Sequence, residues 1–247
     1  MFTRKKAAMI VAEFLGTGVL TLVVLAVSKS TIGIPYFVAL AAAVVVAGMT
    51  LAFGAVSGAH LNPAITIGLW SVRRVKTLPA IVYVAAQLLG GAAAYLLYTY
   101  FVGQHWPNMN GKFDNHILVA EAVGGLVFGL GWAATVYQKL SAGLSAALVG
   151  MSLMLAVVIS SVAAGGIVNP AVALGLRTWV WGTFVLGPVL GAIIGFNLYA
   201  LLFAPESSFS LRRSTAPREA KVAAVEPAVV ETEVIKTSSK SGKKKKR

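Results

Sequence analysis

The sequence predicts an all-α membrane protein with six transmembrane helices and two half-helices, arranged as an inverted repeat of two three-helix halves. Of the 247 residues 57% are hydrophobic and 12% are charged, about half of the roughly 25% that is usual in soluble domains. Six apolar runs are long enough to cross a bilayer, and two further runs are too short. Each short run begins with the tripeptide Asn-Pro-Ala, at residues 62–64 and 169–171.

The charged residues are concentrated at the end of the chain. Eleven of the 21 Lys and Arg residues and five of the eight acids lie after Phe203. The remaining basic residues form no patch of the kind that a soluble nucleic-acid-binding domain carries. The chain has no cysteine, which excludes disulfides and thiolate metal sites. We therefore expect no nucleic-acid partner, no cofactor and no bound metal.

The six long runs predict the transmembrane helices. A bilayer core of about 30 Å takes roughly 20 helical residues, and such runs cover about residues 7–28, 35–55, 79–101, 117–137, 142–163 and 180–203. The two short runs cover about residues 62–71 and 169–178. At about 1.5 Å per residue, ten residues reach about 15 Å, half of the core, so these runs predict half-helices.

Basic residues in the short loops predict the orientation of the spans. One side of the membrane carries Arg4, Lys5, Lys6, Arg73, Arg74, Lys76 and Lys139. The other side carries only Lys29, Lys112 and Arg177. The richer side is expected to be cytoplasmic, and an even number of spans puts both termini there. We expect a multi-pass protein of the plasma membrane, surrounded by the lipid bilayer.

The two halves of the chain repeat one another. The segment AEFLGTG begins at residue 12 and AEAVGGL at residue 120; Glu13 precedes Asn62 by 49 residues, and Glu121 precedes Asn169 by 48. We expect a membrane domain at 1–203, with repeats at about 7–101 and 117–203, and a disordered, basic cytoplasmic tail at 204–247. Three spans per half is an odd number, so the second half is inverted. Inverted repeats with short, proline-interrupted segments indicate a site at the bilayer midplane.

The Asn-Pro-Ala boxes predict how that site is built. Asparagine is a favoured helix N-cap, and proline suits the first helical position. Two helix starts are therefore expected, at Asn62, Pro63 and Ala64 and at Asn169, Pro170 and Ala171. Two positive helix ends would meet at the midplane, with the asparagine NH2 groups free to donate into a cavity. Such a site favours a neutral molecule with a lone pair over a cation. The alternative is that each box only opens a buried re-entrant helix.

These features resemble the aquaporin family of water and small-solute channels. The resemblance covers about residues 7–203 and rests on both boxes, the run SGAHLNPA (57–64), the paired AE segments, and the pair QLLGGA (87–92) and GPVLGA (187–192). It implies six tilted helices and two half-helices around one pore per subunit, in a homotetramer that passes water and small neutral solutes. It also implies that backbone carbonyls line the pore at Gly58, Ala59, His60, Gly165, Gly166 and Ile167.

Glu13 and Glu121 are acids within the expected spans. An intramembrane carboxylate suggests a functional group by default, such as a proton relay. The resemblance implies instead that each carboxylate accepts hydrogen bonds from a re-entrant loop, whose backbone needs partners in lipid. We likewise expect His60 to be a structural loop residue that offers its carbonyl, rather than a titrating gate.

The residue after the second box departs from the family pattern. In most aquaporins and glycerol facilitators an arginine follows the box and forms the outer filter with three other residues. By offset from each asparagine, the filter positions of this chain fall on Ala42, Val157, Gly166 and Val172. All four residues are small or apolar. The chain therefore resembles an atypical bacterial-type aquaporin without the filter arginine, and its filter is expected to be wider and less polar.

Arg177 is the nearest arginine that could replace the missing one. It lies five residues beyond Val172, about 500° further round a helix and about 7.5 Å further along. We expect it at the outer interface beside Trp179 and Trp181. The alternative is that its long side chain snorkels into the filter.

Several functional alternatives remain open from the sequence. Water, hydrogen peroxide, ammonia or small uncharged solutes could pass an apolar filter, or the filter could dewet and conduct water poorly. A coupled transporter would need charged groups at the midplane, where only the two matched glutamates are candidates. A non-conducting structural protein is a further alternative. An enzyme is not expected, because there is no nucleophile–base pair and no phosphate-binding loop.

Two segments outside the expected spans, a loop and the basic tail, show no clear functional motif. The outer loop 104–116 contains His105 and His116, eleven residues apart, and we expect a solvated loop rather than a metal site. The basic tail ends in KSGKKKKR. It could touch anionic lipid, or it could simply be solvated.

Overall fold

The structure, a computed structural model, describes residues 3–108, 111–138, 140–163 and 165–205. The regular elements in this part of the chain are all helical, and in chain order the α-helices are α1 (Arg4–Lys29), α2 (Pro35–Ser57), α3 (Pro63–Ser71), α4 (Thr77–Val102), α5 (Asn115–Tyr137), α6 (Ala142–Ser160), α7 (Pro170–Gly175) and α8 (Gly187–Leu202). A π-helical segment, Trp181–Leu186, leads directly into α8. Five of the α-helices, and the continuous helix Trp181–Leu202, are long and apolar enough to cross a membrane. The expected fold class is confirmed.

Polar caps explain where several spans begin. The hydroxyl of Thr3 accepts a hydrogen bond at the start of α1, and that of Ser141 does so at the start of α6. One carboxylate oxygen of Asp114 accepts bonds from the backbone N–H groups of His116 (2.7 Å) and Ile117 (3.1 Å), so α5 begins two residues before the expected boundary. Such caps satisfy N–H groups that have no partner within the helix.

Both short apolar runs form half-helices, of nine residues in α3 and six in α7. The second run was expected to stay helical to about residue 178, and it ends earlier. Arg177 adopts a left-handed φ of 56°, and the N–H of Thr178 bonds back to the carbonyl of Ala173 at 3.0 Å. The first half-helix ends in the same way, with Arg73 at a φ of 61°. These endings have the hydrogen-bond pattern of a Schellman motif. The left-handed position of this motif is usually occupied by glycine.

The half-helices pack across the boundary between the repeats. α1 packs against α2 and α4, and α5 packs correspondingly against α6 and α8, while α2 and α6 join the two halves. α3 packs mainly on α8, and α7 packs mainly on α4. Each half-helix is therefore held by the last helix of the other repeat, which brings both box-containing loops into one central region.

Small residues allow the paired spans to approach closely. A Cβ atom added at Gly90 in α4 would overlap the carbonyl oxygen of Phe14 in α1, and one added at Gly191 in α8 would overlap that of Ala122 in α5. Close backbone approach at small residues is a main source of helix association in lipid. In each repeat the carbonyl belongs to the residue that follows the buried glutamate, Glu13 or Glu121, so the two halves are packed in the same way.

The outside of the helix bundle is covered by large apolar side chains. Leu78, Leu96 and Leu201 are 72%, 66% and 71% exposed, although leucine is usually buried in soluble proteins. This surface suits the hydrocarbon core of a bilayer.

Some sequence predictions concern residues outside the described ranges. Residues 206–247 and Lys139 are among them. The disordered tail at 204–247, the domain limits and the contribution of Lys139 to orientation therefore stay predictions.

Candidate functional site

The two loops before the half-helices have the same unusual backbone. Ala59 and Leu61 in the first loop have φ values of 51° and 52°, and the matching Gly166 and Val168 in the second have 63° and 53°. For residues other than glycine, such conformations cost about 1–3 kcal/mol each and persist only where neighbours hold them. The loops therefore depend on contacts with the surrounding helices.

Glu13 supplies those contacts for the first loop. One of its carboxylate oxygens accepts from the hydroxyl of Ser57 (2.7 Å) and the backbone N–H of His60 (3.0 Å). The other accepts from the backbone N–H of Leu61 (2.8 Å) and the side-chain amide of Gln87 (2.8 Å). The carboxylate is fully buried, and its four donors provide the hydrogen bonds that a buried charge requires.

Glu121 holds the second loop with fewer bonds. Its two oxygens accept from the backbone N–H groups of Ile167 (2.7 Å) and Val168 (2.6 Å). The positions that match the serine and the glutamine of the first repeat are occupied by Ala164 and Gly187, which have no side-chain donor. The two loop supports are thus matched in position and unequal in hydrogen bonding.

Each asparagine of the boxes caps its own half-helix. The side-chain oxygen of Asn62 accepts from the backbone N–H of Ala64 at 2.8 Å, and that of Asn169 accepts from Ala171 at 3.0 Å. Both asparagines have extended backbone, and a proline follows each of them at the first helical position. Side-chain oxygen and proline together start the helices in the way expected from the sequence.

The asparagine amides also connect the two loops. The NH2 group of Asn62 donates to the carbonyl of Val168 at 2.9 Å, and that of Asn169 donates to the carbonyl of Leu61 at 2.9 Å. The sequence predicted that these groups would be free to donate into a cavity. One N–H of each amide is instead used on the opposite loop, because the left-handed residue before each asparagine turns its carbonyl toward the other repeat. Among the residues that the structure describes, the second N–H of each amide has no acceptor and is free for a solute.

A cavity of about 410 Å³ lies on the Val172 side of the asparagine pair, and we name it the outer cavity. The four expected filter residues, Ala42, Val157, Gly166 and Val172, all line it, and so does Asn169. Most of the remaining wall is apolar, including Leu20, Val24, Val38, Leu153, Leu176 and Phe184. The arrangement offers room but few hydrogen-bonding groups to a solute.

Three residues of the second loop lie at the outer cavity, and the orientation of their carbonyls toward it stays a prediction. Gly165 and Ile167, which were expected to offer carbonyls, line it together with Gly166. The corresponding role of Gly58, Ala59 and His60 on the other side of the asparagine pair stays a prediction.

His60 is packed as a structural residue. Its Nδ1 atom lies 3.2 Å from the hydroxyl of Thr66, and its ring meets those of Tyr83 and Trp132 edge to face at centroid distances of 5.2 and 5.7 Å. The hydroxyl of Tyr83 donates to the carbonyl of Ser57 at 2.9 Å. The imidazole is therefore held between two aromatic rings and the first turn of α3.

Arg177 has polar partners in the outer loop and in α4. Its Nη1 donates to the backbone carbonyl of Trp106 (3.2 Å) and to the hydroxyl of Tyr95 (3.4 Å). Its neighbours Leu176 and Thr178 line the outer cavity. Trp179 and Trp181, beside which it was expected, pack against each other edge to face at 5.2 Å.

Trp106 lines the outer cavity, a position that the sequence did not predict. The sequence predicts a solvated loop at 104–116, whereas Trp106 lines the outer cavity and its ring meets the Tyr98 ring edge to face at 5.7 Å. A tryptophan followed by a proline in a polar loop was the available signal, because a large aromatic side chain seldom stays solvated. The loop histidines have separate partners: His105 lies 3.2 Å from the Tyr95 hydroxyl, and the backbone of His116 is capped by Asp114.

Comparisons with known proteins agree with this architecture. The family described as Major intrinsic protein matches residues 2–199. Aquaporin Z of Photorhabdus laumondii is 34% identical over 226 aligned residues, which cover 78% of this chain and 96% of that protein. Aquaporin AqpM of Methanothermobacter thermautotrophicus is 28% identical over 178 aligned residues, which cover 64% of this chain and 72% of that protein. The X-ray structure of the aquaglyceroporin from Plasmodium falciparum has the same fold, with a TM-score of 0.65 at 20% identity, covering 82% of this chain and 99% of that one.

Proposed function

The chain belongs to the major intrinsic protein family, and we propose that, within this family, its pore is wider and less polar at the outer filter than the pore of a strict water channel. The chain is a multi-pass membrane protein and a passive channel for water or small solutes, and it is not an enzyme. What the proposal adds is the range of solutes, which the filter residues determine.

The observation that carries the proposal is the valine at position 172. Val172, Ala42, Val157 and Gly166 share the outer cavity, and none of their side chains can donate a hydrogen bond. A filter without an arginine lacks a bulky group, a strong donor and one barrier to cations. Small uncharged molecules such as water, ammonia and hydrogen peroxide are the solutes that fit it, and uncharged solutes somewhat larger than water are included.

The midplane asparagines are proposed as the remaining barrier to cations. Asn62 and Asn169 sit at helix starts, where the partial charge is positive, and each keeps one N–H for a solute oxygen or nitrogen. A neutral molecule with a lone pair can accept that hydrogen bond. A cation would lose its water shell there without finding a negative partner.

Glu13 and Glu121 are proposed as loop supports rather than as a proton path. This role is supported by their hydrogen bonds, because every oxygen of both carboxylates already accepts at least one donor from the loops. A proton relay would need these groups to exchange protons with water in the pore.

Flux measurements in liposomes test the proposed function. Purified protein is reconstituted, and light scattering follows shrinkage and reswelling with water, urea, glycerol and ammonia, with and without an imposed proton gradient. We expect water, ammonia and urea to pass above the rate of protein-free liposomes, in a manner independent of the gradient, and glycerol serves as the probe of the upper size limit. Uphill flux driven by protons would indicate a transporter, and absence of any flux a structural protein; either result would overturn the proposal.

The assembly and orientation are also proposed. We propose a homotetramer in the plasma membrane with both termini on the cytoplasmic side, on the grounds of family membership and of the basic loops around Arg73 and Arg74. Chemical crosslinking in liposomes is expected to stop at four chains. Protease added to right-side-out vesicles is expected to leave the C-terminal tail intact.

A further inference from the structure

Trp106 occupies a position in the pore wall that the four filter positions do not explain. It lies between α4 and α5, far in sequence from both boxes, yet it lines the same outer cavity as Val172, Val157 and Ala42. Those three side chains are small or of moderate size, and the indole is the largest side chain in the wall. Any solute that moves from the cavity mouth toward Asn169 passes through a space that the indole helps to bound.

Three contacts hold the Trp106 segment in place. The guanidinium of Arg177 donates to the Trp106 carbonyl at 3.2 Å, and the Tyr98 ring meets the indole edge to face. The preceding residue, His105, lies within 3.2 Å of the Tyr95 hydroxyl, which also accepts from Arg177. An arginine with several fixed donors is suited to holding a loop carbonyl and a phenol together.

The indole N–H group of Trp106 is not available to a solute. The Nε1 atom of Trp106 is shielded from solvent and has no hydrogen-bond partner among the residues that the structure describes. A flat hydrocarbon wall restricts by size and offers no hydrogen bond to a solute that has lost its water. Such a wall discriminates most strongly against solutes that carry several hydroxyl or amide groups.

We propose that Trp106 is a fifth filter residue, which sets the upper size limit of the solutes admitted, and that Arg177 is the residue that positions it. The inference rests on the proposed function, because it concerns which neutral solutes pass. In this arrangement two residues limit the width that the absent arginine at position 172 leaves, without restoring its polar group. The aromatic side chain bounds the space that remains, and Arg177, which does not line the cavity, holds the backbone carbonyl of Trp106. Water, ammonia and hydrogen peroxide pass, whereas polyols are held back.

A single-cysteine experiment tests the position of Trp106 directly, because the chain has no cysteine of its own. Trp106→Cys is reconstituted in liposomes and treated with a membrane-impermeant thiosulfonate reagent, and water flux is measured before and after. Trp181→Cys is the matched control, since Trp181 is 68% exposed and lies in the π-helical segment at the start of the last span. We expect labelling at position 106 to remove most of the water flux, a reductant to restore it, and labelling at position 181 to leave the flux unchanged.

The results of this experiment separate the inference from the function. Labelling at position 106 with unchanged flux, or no labelling under conditions that label position 181, would overturn the inference while the channel function stands. If untreated wild-type liposomes pass no water above the lipid background, the proposed function fails and the inference fails with it.

A second set of variants tests the positioning role of Arg177 and does not depend on the cysteine variant folding. Trp106→Ala is expected to raise the glycerol-to-water permeability ratio by about tenfold, which corresponds to about 1.4 kcal/mol of barrier height. Arg177→Ala is expected to raise the ratio similarly, Arg177→Lys to restore most of the selectivity, and the Trp106→Ala/Arg177→Ala double variant to exceed neither single one. Arg73→Ala, at the matching cap of the first repeat, serves as the control and leaves the ratio unchanged. Additive effects in the double variant, or an unchanged ratio in Trp106→Ala, would contradict the proposal.

Discussion

The two buried glutamates occupy matching positions and differ in how many donors they hold. Each oxygen of Glu13 accepts two hydrogen bonds, and each oxygen of Glu121 accepts one. The first loop contains two residues other than glycine with left-handed backbone, and the second contains one in its matched pair of positions. The more strained loop therefore has the stronger support.

This inequality predicts different costs for the same substitution. In Glu13→Gln one oxygen becomes an NH2 group, so two donors lose their acceptor whichever oxygen is replaced, and in Glu121→Gln one donor does. A buried donor without a partner costs about 1–3 kcal/mol. We expect Glu13→Gln to lower the melting temperature in detergent about twice as much as Glu121→Gln. The melting temperatures are measured by circular dichroism. Equal decreases in the two variants would show that the hydrogen bonds of the loops do not govern stability.

The asparagine at the start of α3 gives a prediction about charge. Asn62→Asp keeps the side-chain oxygen that caps Ala64 but loses the N–H that donates to Val168, and it places a negative charge beside a carbonyl. A carboxylate offsets the positive helix ends and gives a cation a partner at the midplane. We expect potassium flux to appear in liposomes that contain Asn62→Asp, measured at alkaline pH so that the new side chain is ionised.

The control for this prediction is Asn197→Asp, the same exchange at an exposed asparagine in α8 whose amide donates to the Ser71 hydroxyl at 2.8 Å. Liposomes that contain this variant are expected to be as impermeable to potassium as those that contain the wild type. If Asn62→Asp also retains the cation exclusion of the wild type, the barrier does not lie at the asparagine pair.

At the scale of residues, the sequence predicted the caps but not the links between the loops. The Asn-Pro start of a helix is a local preference, so it can be recognised without a structure. The bonds from each asparagine amide to the opposite loop depend on the left-handed backbone of Leu61 and Val168. Leucine and valine disfavour that conformation, and nothing local in the sequence announces it.

At the scale of elements, the second half-helix is shorter than expected for a physical reason, whereas the first has the expected length. The apolar run after the second box continues beyond Gly175, but Arg177 takes the left-handed conformation and ends α7. Glycine is the usual residue at such an ending, so the hydrophobic pattern predicted a longer helix. The long spans lack this difficulty, because their lengths follow from the bilayer thickness, and α1, α5 and α6 also begin at polar caps.

The close packing of α5 and α8 predicts the effect of one added methyl group. Gly191→Ala would place a Cβ against the Ala122 carbonyl and 2.7 Å from the Leu126 nitrogen, and neither backbone group can move aside as a flexible side chain could. Overpacking of this kind costs about 1–3 kcal/mol. We expect a lower melting temperature and less folded protein on size-exclusion chromatography.

Gly143 in α6 is the matched control, because an added Cβ there meets nothing within 4 Å. Gly143→Ala is expected to be neutral or slightly stabilising, since alanine is the better helix former. If the two variants unfold at the same temperature, the close approach of α5 and α8 is not what limits stability.

At the scale of the whole molecule, the exchange of half-helices between repeats explains why both boxes act as one site. α3 is held by α8 and α7 by α4, so the midplane contacts can form only when both halves are present. The number of spans, the repeat and the inversion could be predicted, because they follow from hydrophobic length and from matched spacing. The sequence did not predict the packing partners of the half-helices or the position of Trp106 at the outer cavity. Both depend on contacts between segments that are distant in the chain.

The central claim is that the side chain at position 172 sets the width and polarity of the outer filter. The ratio of urea to water permeability, measured by light scattering in matched liposomes, tests it in the wild type and in Val172→Arg, with Val172→Met as a control for length without charge. We expect Val172→Arg to lower the ratio severalfold and Val172→Met to lower it less, because only arginine adds both bulk and fixed donors. A well-folded Val172→Arg protein with the wild-type ratio would show that Val172 does not lie in the filter and would contradict the account.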